Sequence, residues 1–343
     1  MNQKKATIHD IASELGVTAS TVSRALSGNP RISQNTRRAV LKTAKALNYE
    51  PNQIASALRS GKTQLIGMLV PIINRSFFSS IIRGVEDVAN KLDYRVIVSQ
   101  SDEKQENEAA TLKAFLNARV DGVIASIGKQ TRDFDHYQEI LDSGLPLVLF
   151  DRTTSDLQTG QVVIDDYEGA YKATVHLIEQ GCRRIAHFTA RRKIDIYKKR
   201  CLGYLDALRD HNIPIDKKLI FAGDLQLSDG RRHTAELINK QLPFDAVFAA
   251  SDYAVMGAMQ VLKEKKISIP DQVALVGFLN EPFTSFTDPP LSTINQFPME
   301  MGKAAARIFF DSLESERGIS EQKIVIEPEL IVRASSEKRK TNS

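Results

Sequence analysis

Five residues near the amino terminus, Ala19, Ser20, Thr21, Ser23 and Arg24, bring short side chains, hydroxyls and one guanidinium together within two helical turns. Small side chains let a helix axis approach DNA bases, and an arginine fork bonds a guanine edge for roughly 1–3 kcal/mol of discrimination. Residues 1–62 hold ten Lys or Arg against Asp10, Glu14 and Glu50, a net +7, whereas the whole chain is +4, so the remainder is −3. Phosphate binding needs this asymmetry, because each neutralised phosphate releases counterions; solubility does not. The chemistry on offer is recognition rather than bond making. The sequence has no phosphate-binding glycine loop, no nucleophile elbow and no metal-spaced cluster among its six histidines, so neither an enzyme nor a metal or cofactor site is expected. Cys182 and Cys201 have neither metal-ligand nor redox spacing and read as reduced, structural residues.

The elements that must hold the five residues are legible locally. Thr7, followed three residues later by Asp10, is placed to satisfy orphan amides at a helix start, after which Ile8, Ile11, Ala12 and Leu15 recur at helical spacing and Gly16 ends the run. Thr18 caps a second helix, with Val22, Ala25 and Leu26 inward and the five candidate residues outward. Two helices joined around a glycine make a helix-turn-helix. Ser33 starts a third helix whose stripe of Val40, Leu41, Ala44 and Leu47 covers the other two. An ordinary three-helix bundle with a solvated face is the alternative.

This head, with TIHDIASELGVTASTVSRALSG, NYEPN and the strand QLIGMLVP in that order, resembles the lactose-repressor and purine-repressor (LacI/GalR) family of bacterial transcription regulators. The likeness extends over nearly the full chain, more loosely after residue 75. It implies a repressor that reads a palindromic operator in double-stranded DNA as a homodimer, with Ala19, Ser20, Thr21, Ser23 and Arg24 in the major groove and Thr7 and Thr36 against the DNA backbone. It also implies that residues 51–62 are a hinge helix or linker that folds on DNA. There Leu58 enters the minor groove, with Asn52, Ala57 and Arg59 beside it. About two helical turns are too short to persist alone in water, which agrees with that behaviour. A linker leucine packing on the head is the other reading of Leu58.

At 343 residues with 42% hydrophobic and 26% charged composition, the chain is long enough for more than one core. From Gln64, short apolar strands alternate with amphipathic helices, the pattern of parallel-sheet crossovers. QLIGMLVP, YRVIVSQ, DGVIAS and PLVLFD form a first series; QVVID, RRIAHFT, KLIFAG, AVFAAS and VALVGF form a second; LSTINQF and KIVIEPELIVR come last. The fold class expected is an all-α helix-turn-helix DNA-binding head plus an α/β periplasmic-binding-protein-like core of two doubly wound parallel-sheet lobes. The divisions are 1–50 for the head, 51–62 for the hinge, 63–335 for the two-lobed effector-binding and dimerisation domain and 336–343 for a basic disordered tail. Lobe crossings are placed near 151–161, 289–295 and 319–328. No apolar run approaches a membrane span and no signal peptide precedes Thr7, so a cytoplasmic protein is expected.

Two facing lobes of this type bind ligands at the carboxyl ends of their strands. Ser251 and Asp252 sit at such an end, although Asp252 could equally cap the helix that follows, and Asp151 is similarly ambiguous. The resemblance adds Phe77, Phe78 and Arg200 as effector contacts, an aromatic platform and a guanidinium fork suited to a sugar, purine or acidic metabolite. Core packing for the two Phe, and membership of the basic run 198–200 for Arg200, are the alternatives. Many sugar-responsive relatives carry an effector-bonding Asp where this chain has Leu279, and Asn280 or Glu281 is left to replace it. Arg191, Arg192 and Lys193 at another strand end favour an anionic effector such as a sugar acid or sugar phosphate. Effector binding is expected to control operator affinity allosterically; a regulator that senses a partner protein is the rival.

Overall fold

The structure is a computed structural model described for residues 6–49, 61–190, 195–315 and 321–338. Helix α1 (Ile8–Leu15) begins in a closed capping box: Thr7 Oγ1 accepts the Asp10 N–H while Asp10 Oδ2 accepts the Thr7 N–H at 2.7 Å. It stops at Gly16, whose φ of 63° is the left-handed conformation glycine adopts without penalty. Helix α2 (Ala19–Leu26) is capped by Thr18 and α3 (Gln34–Ala46) by Ser33. Ile11, Ala12, Val22, Ala25, Val40 and Ala44 form their common core. Leu41 does not belong to the covering stripe as expected. It is 49% exposed, because one step beyond Val40 rotates a side chain off the face that Ala44 and Leu47 continue.

The described residues separate into two compact units, one ending at Thr63 and the other beginning at Gln64. In the second, β1 (Leu65–Val70), α4 (Ser76–Ala89), β2 (Arg95–Gln100), α5 (Gln105–Asn117), β3 (Val123–Ala125), α6 (Asp135–Asp142), β4 (Leu147–Phe150) and β5 (Gly160–Ile164) follow in order. Next come α7 (Asp166–Glu179), β6 (Ile185–Ala190), α8 (Asp195–Asp210), β7 (Ile220–Gly223), α9 (Leu227–Asn239), β8 (Ala246–Ala249), α10 (Asp252–Glu264) and β9 (Ala274–Val276). The chain ends with β10 (Thr293–Asn295), α11 (Pro298–Glu314), β11 (Lys323–Ile326) and β12 (Glu329–Ile331). One parallel sheet has the order β11-β5-β4-β3-β1-β2 and the other β7-β6-β8-β9, with β10 and β12 paired antiparallel. Every residue of β3, β4, β6 and β8 is buried, as strands covered on both faces must be.

Helices α4 and α11 meet through facing glycines. A Cβ on Gly84 would lie 2.2 Å from Met299 O, and one on Gly302 would lie 2.1 Å from Ile81 O. No other residue fits there.

Three expectations need correction. The strand around QVVID belongs to the first sheet, between β4 and β11, because Val148 pairs with Gly160 and Val162, Val163 and Ile164 pair with β11. The first crossing is therefore not at 151–161 but after β5, where Asp165 caps α7. The second falls after β10, just past the expected 289–295, and the third between β11 and β12, at the end of the 319–328 interval. The disordered tail does not begin at 336: Ser336 Oγ bonds Ser292 Oγ at 2.6 Å and His176 Nε2 at 2.7 Å, and the Lys338 N–H donates to Gln180 Oε1 at 3.1 Å. Two buried serine hydroxyls, Ser335 and Ser336, satisfy polar groups that would otherwise be stranded. Residues 339–343 lie outside the described residues.

Candidate functional site

On the head, Ser20 and Arg24 lie one turn apart on α2 and are exposed, while Thr21 and Ser23 are half-buried. Ala19 is not simply outward: it is half-buried and packs on the three-helix core. Thr18 Oγ1 holds Ser20 Oγ at 2.8 Å and Thr21 Oγ1 at 2.9 Å, so the start of α2 is a fixed set of hydroxyls beside one free-standing guanidinium. Thr7 caps α1 and Thr36 lies in the first turn of α3, bonded to Ser33 Oγ at 2.8 Å. Both are at helix amino ends, where backbone N–H groups and the helix dipole favour phosphate. Asn52, Ala57, Leu58 and Arg59 lie outside the described residues, as do Arg191, Arg192 and Lys193.

In the body, a cleft is lined by Phe77, Phe78, Arg200 and Ser251 together with residues from both lobes. The two Phe do not choose between the expected roles. Each is at least 94% buried in the core of the first lobe, with their rings edge to face at 5.2 Å, and each also lines the cleft. Arg200 is built in: its Nε donates to Asp166 Oδ1 at 2.7 Å, its Nη1 to Ala250 O at 3.0 Å, and its guanidinium lies 3.7 Å over the Phe278 ring. Burial pushes the Asp166 carboxyl up to about 6, and the neighbouring guanidinium pulls against that rise.

Ser251 caps α10 through its Oγ, while Asp252, the first residue of that helix, is wholly buried. Asp252 accepts the Glu281 N–H at 2.8 Å and the Thr293 hydroxyl at 2.7 Å, and burial pushes its carboxyl up to about 7. It supports the cleft from behind without lining it. Asn280 does not line it either: its Oδ1 accepts from Arg333 Nη2 at 3.1 Å. The side chains at 279 and 281 reach the cleft instead, since the chain passes residue 280 in left-handed backbone with φ of 54°.

Sequence reasoning missed much of the lining. Glu103 Oε2 accepts from Arg152 Nη1 at 2.6 Å and from the Lys129 N–H at 2.8 Å. Burial alone would raise the Glu103 carboxyl, but these partners outweigh it and hold it below its usual range. Asp151, expected only as an ambiguous strand-end acid, lines the cleft and is raised by burial. Arg75 of the first lobe reaches the second, where Nη2 donates to Gln226 Oε1 at 2.6 Å and Cζ lies 3.8 Å from the Tyr253 ring centroid. Ser76 Oγ beside it donates to Glu281 Oε2. Glu103 stood in the run SDEKQE, which carries no signal distinguishing it from a solvated charged loop. Across the lining, Arg75, Lys129, Arg152 and Arg200 face Glu103, Asp151, Asp224 and Glu281, so the charges balance.

A helix-turn-helix unit followed by two parallel-sheet lobes around a polar cleft defines a ligand-binding type of body joined to a DNA-reading head. Comparison with known proteins gives the family. The description "Bacterial regulatory proteins, lacI family" matches residues 7–52, and "Periplasmic binding protein-like domain" matches residues 174–336. The HTH-type transcriptional regulator RegA of Clostridium saccharobutylicum is 32% identical over 96% of this chain and 98% of its own length. Catabolite control protein A of Priestia megaterium is 31% identical over 90% of this chain and 93% of its own. Among solved structures, the transcriptional regulator CelR–cellobiose complex is 28% identical, with a TM-score of 0.73 over 96% of this chain and 99% of that one. The lac repressor dimer bound to operator and the anti-inducer ONPF has a TM-score of 0.86 over 97% of this chain and 99% of that one; at 22% identity this likeness is one of fold.

The chain belongs to the lacI family of bacterial regulatory proteins, and it is a DNA-binding transcriptional regulator rather than an enzyme. Among the described residues no helix is long and apolar enough to cross a membrane.

Proposed function

We propose that this protein is a repressor that binds a palindromic operator as a homodimer and loosens or tightens its grip when a sugar or close sugar derivative occupies the cleft between its lobes. Each head reads one half-site through Ser20 and Arg24, flanked by Ala19, Thr21 and Ser23, with Thr7 and Thr36 against phosphates. The hinge residues Asn52, Ala57, Leu58 and Arg59 add a minor-groove contact.

The observation that carries the effector reading is the cleft lining itself. Aromatic faces at Phe77, Phe78, Tyr197 and Tyr253 alternate with fixed charged groups whose signs cancel. Such a lining suits a neutral polyhydroxylated ligand, apolar on its ring faces and hydrogen-bonding at its rim, better than the sugar acid or phosphate that Arg191 to Lys193 suggest. With Arg75 and Ser76 bonded across it, the cleft encloses about 80 Å³, below the roughly 300 Å³ of an ordinary ligand pocket. A sugar therefore enters only when the lobes part, and a ligand that binds one arrangement better shifts the balance between them. Coupling of roughly 1–3 kcal/mol gives about 5- to 150-fold control of operator affinity.

The small volume also favours a second reading, in which the cleft stays shut and a partner protein is sensed instead. Isothermal titration of the purified chain with neutral sugars and with their acid and phosphate forms separates the readings. Heat from a neutral sugar, accompanied by a change in operator affinity, supports the first; heat from none of them supports the second.

A further inference from the structure

The chain leaves β9 through two consecutive residues at positive φ, Leu279 at 129° and Asn280 at 54°. For a leucine this is a backbone outlier that persists only where its surroundings impose it. They do so here: the Leu279 N–H donates to Ile294 O at 3.0 Å, the Asn280 N–H to Thr293 Oγ1 at 3.1 Å and the Glu281 N–H to Asp252 Oδ2 at 2.8 Å. The result is that the carboxylate at 281, rather than the side chain at 279, supplies the polar group at this end of the sheet. Glu281 is 3% exposed, lines the cleft and gives Oε2 to Ser76 of the opposite lobe. Its Oε1 is buried without a hydrogen-bond partner. A buried acceptor of this kind is costly unless something donates to it.

Among the polar atoms of the cleft lining one other is in the same condition. Arg152 Nε, on a side chain 7% exposed, has no hydrogen-bond partner, and Asp151 Oδ2 stands 3.8 Å away, too far to serve. The cleft thus presents one stranded acceptor from the second lobe and one stranded donor from the first. A hydroxylated ligand satisfies both, donating an O–H to one and accepting from the other.

We propose that Glu281 is the ligand-binding carboxylate of the second lobe, accepting a sugar hydroxyl at Oε1 while Oε2 remains available to Ser76, and that Arg152 Nε donates to the same ligand. This rests on the sugar-sensing reading of the cleft. Ligand occupancy then completes hydrogen bonding on both lobes at once, which ties binding to their relative position.

The test is calorimetry with D-glucose, D-galactose, D-ribose, maltose and cellobiose, and with the monodeoxy forms of whichever binds, on the wild-type chain and on Glu281→Met, which keeps the side chain's length and removes its acceptor oxygens. The substitution is expected to weaken binding about tenfold or more, as loss of a bond to a charged acceptor does. The deoxy form that costs the wild type the same factor should cost the variant nothing, a coupling that a merely structural role would not produce. Retained operator binding by the variant reports that it is folded. If it is not, Glu281→Asp, which keeps the charge but withdraws it, is read instead, with weakened binding expected. Unchanged sugar affinity in the variant, or an equal deoxy penalty in both proteins, overturns the assignment of Glu281 while leaving the sugar sensor standing. Absence of binding by the wild type to every one of these sugars overturns both.

Discussion

Arg24 is the residue on which sequence reading by the head turns. It is the only charged side chain among the five candidates on α2 and it is exposed. Arg24→Ala is expected to weaken operator binding about 5- to 150-fold and to relax preference at one base pair, while leaving random-sequence binding nearly unchanged. Competition binding with operators mutated one pair at a time reads both effects; a uniform loss across all sequences would make Arg24 a phosphate contact instead. In the body, Asp252 has the opposite character, a carboxyl shut behind the cleft. Burial raises it from 3.8 to about 7 in the folded chain, so its contribution to stability is full below about pH 4 and is lost as pH rises through about 7. The body should therefore lose stability between about pH 4 and about pH 7, and Asp252→Asn should flatten that fall in denaturant titrations. An unchanged slope would mean that Asp252 is ionised throughout.

At the scale of elements, local chemistry decides the head and packing decides the body. The Thr7–Asp10 box is exposed and closes through bonds between residues three apart, so its value is that of a helix cap. Thr7→Ala is expected to destabilise the head by about 0.5–2 kcal/mol, measured by thermal melting. Gly84 and Gly302 show the opposite dependence, because each faces a backbone carbonyl of the partner helix at a distance no Cβ tolerates. Gly84→Ala should force α4 and α11 apart at a cost of roughly 1–3 kcal/mol, the usual penalty of overpacking, and a neutral result would show that the two helices slide freely.

The same contrast explains what could be read in advance. Caps at Thr7, Thr18 and Ser33 and the glycine stop at residue 16 are local signals, and the three helices follow from them. The lobe that owns β5 is set by long-range pairing with β4 and β11, about which an apolar run of five residues is silent. Arg200, Phe77, Phe78 and Ser251 line the cleft, whereas Asp252 and Asn280 do not. Which of three consecutive residues faces a cavity depends on the backbone turn at 279 and 280, and neither residue is a glycine that would announce it.

For the whole molecule, the division of charge is the physical basis of function. The first 62 residues carry net +7 and the rest net −3, so affinity for DNA should reside in the head and fall steeply with salt while ligand binding by the body does not. The claim that joins the two is that paired heads read a palindrome under control of the cleft. Its most direct test is operator binding by the purified full-length protein across a salt series, with palindromic and random duplexes, in the presence and absence of the sugar panel. The account predicts strong preference for the palindrome, persisting as salt rises, and a shift of about 5- to 150-fold with at least one sugar. Equal affinity for palindromic and random duplexes at every salt concentration, with or without sugar, would contradict it.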